Sequence, residues 1–175
     1  EYRDSTRETI ISDKAWKTAH GPIKLSSIYD GELYDANNEL GNWTESGYND
    51  KEWKEVKEIQ HPLDNLIPNE GLPIKMIQQL EVKKKIITPE NELVFDFGQI
   101  LTGVVQFMLN GKKGDTITIF HAEVLDKNGN FYTENLRTAE QKVQYVFSGN
   151  AEVTYNPLFS FQGFRYIKIE SPLVD

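Results

Sequence analysis

Regular alternation of apolar and polar residues after Leu93 constrains the fold of this chain more than any other feature of its sequence. Successive side chains of a strand point to opposite faces, so each alternating stretch has one apolar face. The residues assigned to that face are Phe95, Phe97, Val105, Phe107, Tyr145, Phe147, Ile167 and Ile169. Asn-Gly and Gly-Asp pairs, which favour tight turns, separate the stretches. The sequence therefore predicts an all-β, jelly-roll-like antiparallel β-sandwich with these residues in one core between two sheets.

Two charged residues lie within these predicted strands. Asp96 is flanked by Phe95 and Phe97, so its carboxylate is expected to be partly buried and to accept a structural hydrogen bond. Alternation places Arg165 on the same strand face as Ile167, at the edge of the core. We therefore expect the guanidinium of Arg165 to reach an acidic or carbonyl partner there.

The N-terminal part of the chain has a different pattern. Residues 8–12 are typical of a strand, but a strand so close to the N-terminus has little to pair with. We therefore assign residues 1–26 to a strand remnant of a preceding β-module and residues 27–175 to the sandwich domain. Within the latter, residues 60–72 contain two prolines and no apolar period, which predicts an ordered but irregular crossing loop.

Charge and composition exclude several classes of function. The net charge of −8 opposes nucleic-acid phosphates and anionic lipids, and no apolar run approaches the ~18–20 residues that a membrane span needs. The absence of cysteine excludes disulfides and thiolate chemistry but leaves the cellular compartment open. The sequence therefore predicts neither a nucleic-acid nor a membrane partner, and a neutral ligand such as a sugar fits better.

The densest group of polar side chains lies between Asp30 and Glu39. Its oxygen atoms beside tyrosine rings indicate either a ligand site or a self-capped turn. In the first interpretation Asp30 and Asp35 are candidate Ca²⁺ ligands, and Glu32, Tyr34 and Trp43 are candidate sugar-binding residues. In the second, which we favour, the Asp and Asn side chains cap their own backbone. We expect no cofactor, with Ca²⁺ as the open alternative.

Other motifs favour structural roles. Trp43 and Trp53 flank a short turn, and a loop that packs two indoles beneath itself is commoner than an exposed sugar platform. Asp126, Asn128 and Asn130 imitate the start of an EF-hand loop, but Arg137 stands where that loop needs its bidentate glutamate. A type I′ hairpin turn is therefore predicted at this point. The three histidines are far apart in sequence, which argues against a metal site.

The whole chain resembles the accessory β-region of bacterial α-L-rhamnosidases of glycoside hydrolase family 78. Stretches typical of that family occur in the family's order along nearly the full length, and DFGQ, YTENLR and GFRY are the most specific. The stretches are SDKAWKTAHGPI, IYDGELYDA, GNWTESGYNDKEW, LVFDFGQILTG, HAEVLDKNGNFYTENLR and FSFQGFRYIKIE. Asn49 stands where the family version has an acidic residue, which weakens a metal role for that turn.

The resemblance implies a parent enzyme that removes terminal α-L-rhamnose with inversion. Its catalytic acids belong to an (α/α)₆ barrel that this sequence does not contain, so no catalytic residue is assigned here. The implied partners are that barrel and the neighbouring β-domains of the parent chain, and the implied function is to brace the barrel. Two alternatives stay open: a module that binds rhamnose or rhamnose-containing glycans, and independent catalysis by two converging carboxylates.

Overall fold

The computed structural model describes residues 2–149 and 151–174. They form short strands and two 3₁₀ turns, at Ala36–Asn38 and Glu134–Leu136. Within these residues no helix is long and apolar enough to cross a membrane. The strands are β1 (Lys17–Thr18), β2 (Ile23–Ser27), β3 (Gly31–Asp35), β4 (Lys54–Glu55), β5 (Lys84–Ile87), β6 (Leu93–Gly103), β7 (Phe107–Gly111), β8 (Thr116–Ala122), β9 (Lys142–Val146), β10 (Ala151–Tyr155) and β11 (Gln162–Glu170).

The chain divides into two compact units that interleave along the sequence. Unit 1 comprises Glu1–His20 and Leu40–Pro73, and unit 2 comprises Gly21–Glu39 and Ile74–Asp175. The boundary predicted between residues 26 and 27 therefore falls inside β2. The physical reason is that β2 pairs with β3 as a hairpin, and this hairpin belongs to the sheet of unit 2.

Unit 2 is a β-sandwich, as the alternation predicted. Its larger sheet has seven strands in the order β2-β3-β9-β8-β11-β6-β5, and β7 and β10 form the smaller sheet. The expectation of purely antiparallel pairing is wrong at one place, because β3 runs parallel to β9. Strands so far apart in sequence are joined by a long crossover, which permits parallel pairing where a tight hairpin does not.

The core of the sandwich lies between the two sheets. Side chains from β7 and β10 meet those of β8, β9 and β11 there, and the predicted core residues all belong to this cluster. Val105, Tyr145, Phe147 and Ile167 are buried, and the other four are half-buried against them. Ile117, Ile119 and Phe164 complete its centre. Aromatic rings dominate one end, where Tyr145 contacts Tyr34, Phe107, Phe147 and Tyr155.

Unit 1 has much less regular structure. Its two strands, β1 and β4, pair over two residues each, and the ring of Trp53 contacts those of Trp43 and Tyr48. The strand expected at residues 8–12 is not formed, because no partner strand lies beside it in the described part of the chain. Instead, Asp13 caps a turn by accepting from the Ala15 amide, and the Trp16 indole donates to the Ile11 carbonyl.

The loop that imitates an EF-hand forms a hairpin, though of a different type from the one predicted. Leu125 and Phe131 form a β-bridge, and the Gly129 amide donates to the Asp126 carbonyl. Gly129 has a φ of +89°, whereas neither Lys127 nor Asn128 has a positive φ. A type I′ turn needs positive φ at both central residues, so this is a type I turn followed by a left-handed glycine. The Asp126 carboxylate accepts from the amides of Asn128 and Asn130, which stabilises that turn.

Candidate functional site

The position of Glu32 depends on a close approach between β3 and β9. Gly31 begins β3 with a φ of +98°, and a Cβ atom there would lie 2.0 Å from the Lys142 carbonyl oxygen. Only glycine permits this approach, since any side chain would push the parallel strands apart. The next residue, Glu32, lies opposite Val143, whose side chain belongs to the core. Local backbone geometry therefore directs a carboxylate into the sandwich.

The Glu32 carboxylate is only 1% exposed and is surrounded by hydrogen-bond donors. The Tyr155 hydroxyl donates to Oε1. The backbone amide of Leu158 donates to Oε1 at 3.0 Å, and the amide of Phe159 donates to Oε2 at 3.1 Å. Burying a carboxylate is costly unless such donors satisfy it. We call this arrangement the Glu32 cage, and it fixes the start of the connection between β10 and β11.

Two tyrosines at this end of the core remain protonated well above neutral pH. Burial, followed by the hydrogen bond to Glu32, raises the pKa of Tyr155 above its usual range. Burial and the hydrogen bond to Glu39 likewise raise the pKa of Tyr34, whose hydroxyl donates to Oε1 of Glu39 at 2.9 Å. Both phenols therefore act as hydrogen-bond donors. Tyr34 and Glu32 lie on the same face of β3, but each is committed to a partner within unit 2.

The connection between β10 and β11, residues 156–161, is named the Phe159 loop. It carries three apolar side chains to the surface: Leu158 is 59% exposed, Phe159 is 73% and Phe161 is 40%. Ser160, between the two phenylalanines, is buried. Within the described part of the chain, Oγ of Ser160 and Nε2 of Gln162, the first residue after the loop, have no hydrogen-bond partner. The loop is thus held from inside by Glu32 while its apolar side chains face solvent.

Asp30 and Asp35 lie at opposite ends of β3, and the strand rise places them about 16 Å apart. Two residues so separated cannot ligate one ion together. Asp30 accepts from the Ser27 hydroxyl at 3.3 Å. Asp35 caps the first 3₁₀ turn by accepting from the Asn37 amide at 3.0 Å, and the hydrogen bond with the Asn37 side chain lowers the pKa of Asp35. Within the described residues, no three His, Cys, Asp or Glu side chains form a group suited to a metal ion.

Trp43, the remaining candidate for sugar binding, belongs to unit 1, whereas Glu32 and Tyr34 belong to unit 2. Its indole is 53% exposed and contacts Trp53, with ring centroids 6.1 Å apart. The indole thus offers a face to solvent while one side is anchored. Each unit therefore holds part of the predicted sugar-binding set, and Trp43 is its most exposed member.

Asp96 and Arg165 form a bidentate ion pair, so the acidic partner expected for Arg165 is present, although the sequence did not indicate that it would be Asp96. Nε of Arg165 donates to Oδ1 at 2.8 Å and Nη2 donates to Oδ2 at 2.9 Å, while the Gly98 amide also donates to Oδ1. These bonds, with that to Arg165 the strongest, lower the pKa of Asp96. A register shift between Phe164 and Tyr166 breaks the alternation in β11. Arg165 therefore does not share the face of Ile167, and it reaches a carboxylate on the face of β6 opposite Phe95.

His121 is buried on the face of β8 that carries the core residues Ile117 and Ile119, and it joins two elements of unit 2. Nδ1 of its ring donates to the Gln141 carbonyl at 2.7 Å, and the ring packs edge-on against Phe164 with centroids 4.8 Å apart. Burial lowers the pKa of His121 to about 4, and the hydrogen bond to Gln141 only partly offsets this shift. The imidazole is therefore neutral at physiological pH and acts as a structural donor.

A run of exposed aliphatic side chains occupies the irregular stretch before β5. We call residues 59–77 the apolar segment, since each of its large apolar side chains is at least 68% exposed. The loop predicted for residues 60–72 lies within it, and its irregular conformation is confirmed because no strand or helix forms there. The side chains concerned are Ile59, Leu63, Leu66, Ile67, Leu72, Ile74, Met76 and Ile77.

Sequence reasoning missed the Glu32 cage and the Phe159 loop. The donors of the Glu32 cage are the Tyr155 hydroxyl and two backbone amides, all more than a hundred residues beyond Glu32 in sequence. No local sequence pattern marks that pairing. One signal was available for the loop. Asn156-Pro157 indicates a turn, yet three of the next four residues are large and apolar, which is unusual for a solvent-facing connection.

Comparison with known proteins identifies the class to which this sandwich belongs. The family model for the bacterial alpha-L-rhamnosidase concanavalin-like domain matches residues 86–174, and the model for the alpha-L-rhamnosidase N-terminal domain matches residues 1–78. The chain belongs to the bacterial α-L-rhamnosidase family. The hairpin of β2 and β3 lies within the N-terminal match yet pairs in the sheet formed by the second match. The two matched regions are therefore structurally joined within unit 2.

Similar proteins include a curated α-L-rhamnosidase of Formosa agariphila, 38% identical over 95% of this chain. The crystal structure of the native Aspergillus terreus α-L-rhamnosidase is 33% identical over 96% of the chain, with a TM-score of 0.90. The Streptomyces avermitilis α-L-rhamnosidase complexed with L-rhamnose is 36% identical over 97%, with a TM-score of 0.86. The chain spans only 18%, 19% and 16% of these three proteins, respectively.

Proposed function

We propose that the chain is a non-catalytic part of a longer α-L-rhamnosidase polypeptide and that it braces the catalytic barrel of that polypeptide. The observation that carries this proposal is the apolar segment. Burying one aliphatic side chain removes about 100 Å² of apolar surface from water. Five of the exposed side chains belong to unit 1 and present roughly 500 Å², and the three that belong to unit 2 present roughly 300 Å². One partner buries about 800 Å² in a standard protein interface, so each group could form a substantial part of one.

The carboxylates support a non-catalytic role. Glycosidases need an acid and a base on either side of a substrate. Among the described residues of unit 2, the buried carboxylates are those of Glu32 and Asp96, and each is held by several donors within the unit. In unit 1 a shallow hollow is lined by Glu55 and Glu58, and Glu58 lies 4.0 Å from Lys14. This open, lysine-lined surface does not enclose a sugar ring.

The experiment combines activity and stability. The 175-residue chain should not turn over an aryl α-L-rhamnoside, because the acid and base are supplied elsewhere in the parent. In the full-length polypeptide, Ile67→Asp and Ile77→Asp should each lower the temperature at which rhamnosidase activity is lost by several degrees. The same substitutions should leave the melting temperature of the isolated chain unchanged, since both side chains face solvent there.

Two results would overturn the brace. One is turnover by the repurified chain that disappears in a Glu or Asp variant. The other is a parent enzyme whose stability is indifferent to both substitutions. As a matched control, Thr154→Asp alters an exposed polar residue of β10 and should not affect the parent.

A carbohydrate-binding module is the second candidate, and the exposed indole of Trp43 is the feature that favours it. Calorimetric titration of the chain with L-rhamnose, with and without Ca²⁺, separates the two proposals. A brace should give no heat of binding. Saturable binding that Trp43→Ala abolishes would support the module instead. A Ca²⁺-dependent rise in melting temperature that Asp35→Ala removes would establish a specific ion site.

A further inference from the structure

We infer that the Phe159 loop is a preformed docking element that inserts Leu158, Phe159 and Phe161 into an apolar surface of the catalytic part of the parent polypeptide. This inference rests on the proposed bracing function and assigns a defined contact to it. It concerns a surface separate in sequence from the apolar segment, and different residues test it.

The conformation of the Phe159 loop contributes unfavourably to the folding stability of unit 2. A carboxylate is buried to hold the amides of Leu158 and Phe159. Among the described residues, the polar atoms Ser160 Oγ and Gln162 Nε2 are buried without partners. The Glu32 carboxylate is satisfied by its donors, but the unpaired buried polar groups oppose folding. Costs of this kind are typical of segments whose shape is selected for function and not for stability.

The exposed side of the loop has the composition of an interface centre. Residues 156–161 contain no charged side chain, although charged residues make up 26% of the chain. Its three apolar side chains expose roughly 300 Å² in all. Depletion of charge together with aromatic enrichment distinguishes the buried centre of an interface from its rim.

The remainder of the parent polypeptide is the occupant that fits best. The chain covers only 16–20% of the length of the similar solved rhamnosidases, so most of such a polypeptide lies outside it. A second copy of the chain is disfavoured, because two molecules that each carry a net charge of −8 repel one another.

The test compares Phe159→Asp in the full-length polypeptide and in the isolated chain. In the parent polypeptide, Phe159→Asp should abolish the docking contact. A protease should then cleave between the bracing and catalytic parts about tenfold faster than in the wild-type parent. In the isolated chain the melting temperature should not fall. The matched control is Ile100→Asp, which changes a residue of unit 2 that is 61% exposed and should leave the cleavage rate within twofold, on the order of a peripheral contact.

A second variant tests the cage. Glu32→Gln keeps a side chain of the same size but weakens the hold on the loop amides. In the parent it should raise the cleavage rate in the same direction as Phe159→Asp, and the double variant should be no worse than Phe159→Asp alone. Additive effects would show that Glu32 acts only on unit 2 stability and would overturn its assigned role in positioning the loop.

Each remaining outcome decides the proposal. If Ile67→Asp destabilises the parent but Phe159→Asp does not, the brace stands and the docking loop is wrong. If neither does, both proposals fall. A fall in melting temperature of the isolated Phe159→Asp chain would place the loop in the core of unit 2. A dimer of the isolated chain in sedimentation, dissociated by Phe159→Asp, would assign the loop to a second copy.

Discussion

Unit 2 and unit 1 contain similar apolar residues but cover them in different ways. In unit 2 a smaller sheet lies over the larger one, and rings such as Phe147 and Phe164 are enclosed between the layers. In unit 1 two short strands pair with each other, and Trp16 and Trp43 remain half exposed. An apolar sequence forms a core only where a second layer closes over it.

The largest effect expected from this comparison follows truncation of a ring in unit 2. Phe164→Ala should lower the free energy of unfolding of unit 2 by about 3–5 kcal/mol, because the cavity cannot be filled by neighbouring strands. The chain's tryptophans, Trp16, Trp43 and Trp53, all belong to unit 1. Denaturation followed by far-ultraviolet circular dichroism should therefore shift, while selectively excited tryptophan fluorescence should not.

This prediction has a matched control in Phe159→Ala, which removes an exposed ring and should change the free energy of unfolding by less than about 0.5 kcal/mol. Equal shifts of both signals in Phe164→Ala would mean that the two units unfold as one cooperative body. The two units would then differ in structure but would not unfold with separate free energies.

A smaller effect is expected from pH. His121 titrates near 6.5 when unfolded but near pH 4 when folded, because its ring is buried. Its neutral form is therefore compatible with the fold above pH 6.5, and stability is lost as the pH falls from there towards 4. The loss should reach roughly 2–3 kcal/mol. His121→Gln should flatten this part of the stability profile, measured by denaturation at a series of pH values.

The matched control for that profile is His61→Gln, since His61 is exposed and lies in unit 1. It should reproduce the wild-type pH dependence. If both variants, or neither, flatten the profile, then another group in the chain governs its acid sensitivity.

The smallest effect concerns ion pairs. Asp96→Asn should cost unit 2 about 1 kcal/mol at neutral pH, since solvent reaches the Arg165 side of the pair and screens it. The folded pKa of Asp96 is depressed, so this stability is present above the unfolded pKa of about 3.9 and is lost as the pH falls through the lower folded value. The difference between wild type and variant should therefore shrink in strong acid.

The comparable pair in unit 1 joins Lys17 to Asp50 at 2.9 Å, on a surface open to water. Asp50→Asn should produce no resolvable change in the tryptophan signal, because exposed ion pairs contribute little. A larger effect for Asp50→Asn than for Asp96→Asn would reverse the ranking of the two units.

Sequence patterns predicted the parts of the fold that depend on local chemistry. Alternation identified Tyr145, Phe147 and Ile167 as core residues, because strand periodicity and burial coincide there. It failed at Arg165, where a register shift inserts residues into β6 and breaks the period. The bulge depends on pairing between distant strands, and its one local sign is Gly98, a glycine inside β6 with a φ of +82°.

The candidate site was less predictable than the core. Glu32 lies among acidic and amide residues that resemble a solvent-exposed turn, and Asp35 does cap such a turn. The burial of Glu32 depends on hydrogen bonds from Tyr155 and from the loop after β10, which form only when the two sheets of the sandwich pack together. Partners brought together by tertiary structure cannot be inferred from the composition of one segment.

The parallel pair of β3 and β9 has a consequence for synthesis of the chain. The hairpin of β2 and β3 leaves the ribosome before β9, and Gly31 can pair with Lys142 only after about 110 further residues have been synthesised. At translation rates of about 5–20 residues per second this delay lasts roughly 5–20 s. During that time the free edge of β3 offers unpaired backbone groups to any passing strand. A chaperone that occupies nascent edges would therefore have its greatest effect early, before β8 and β9 are made.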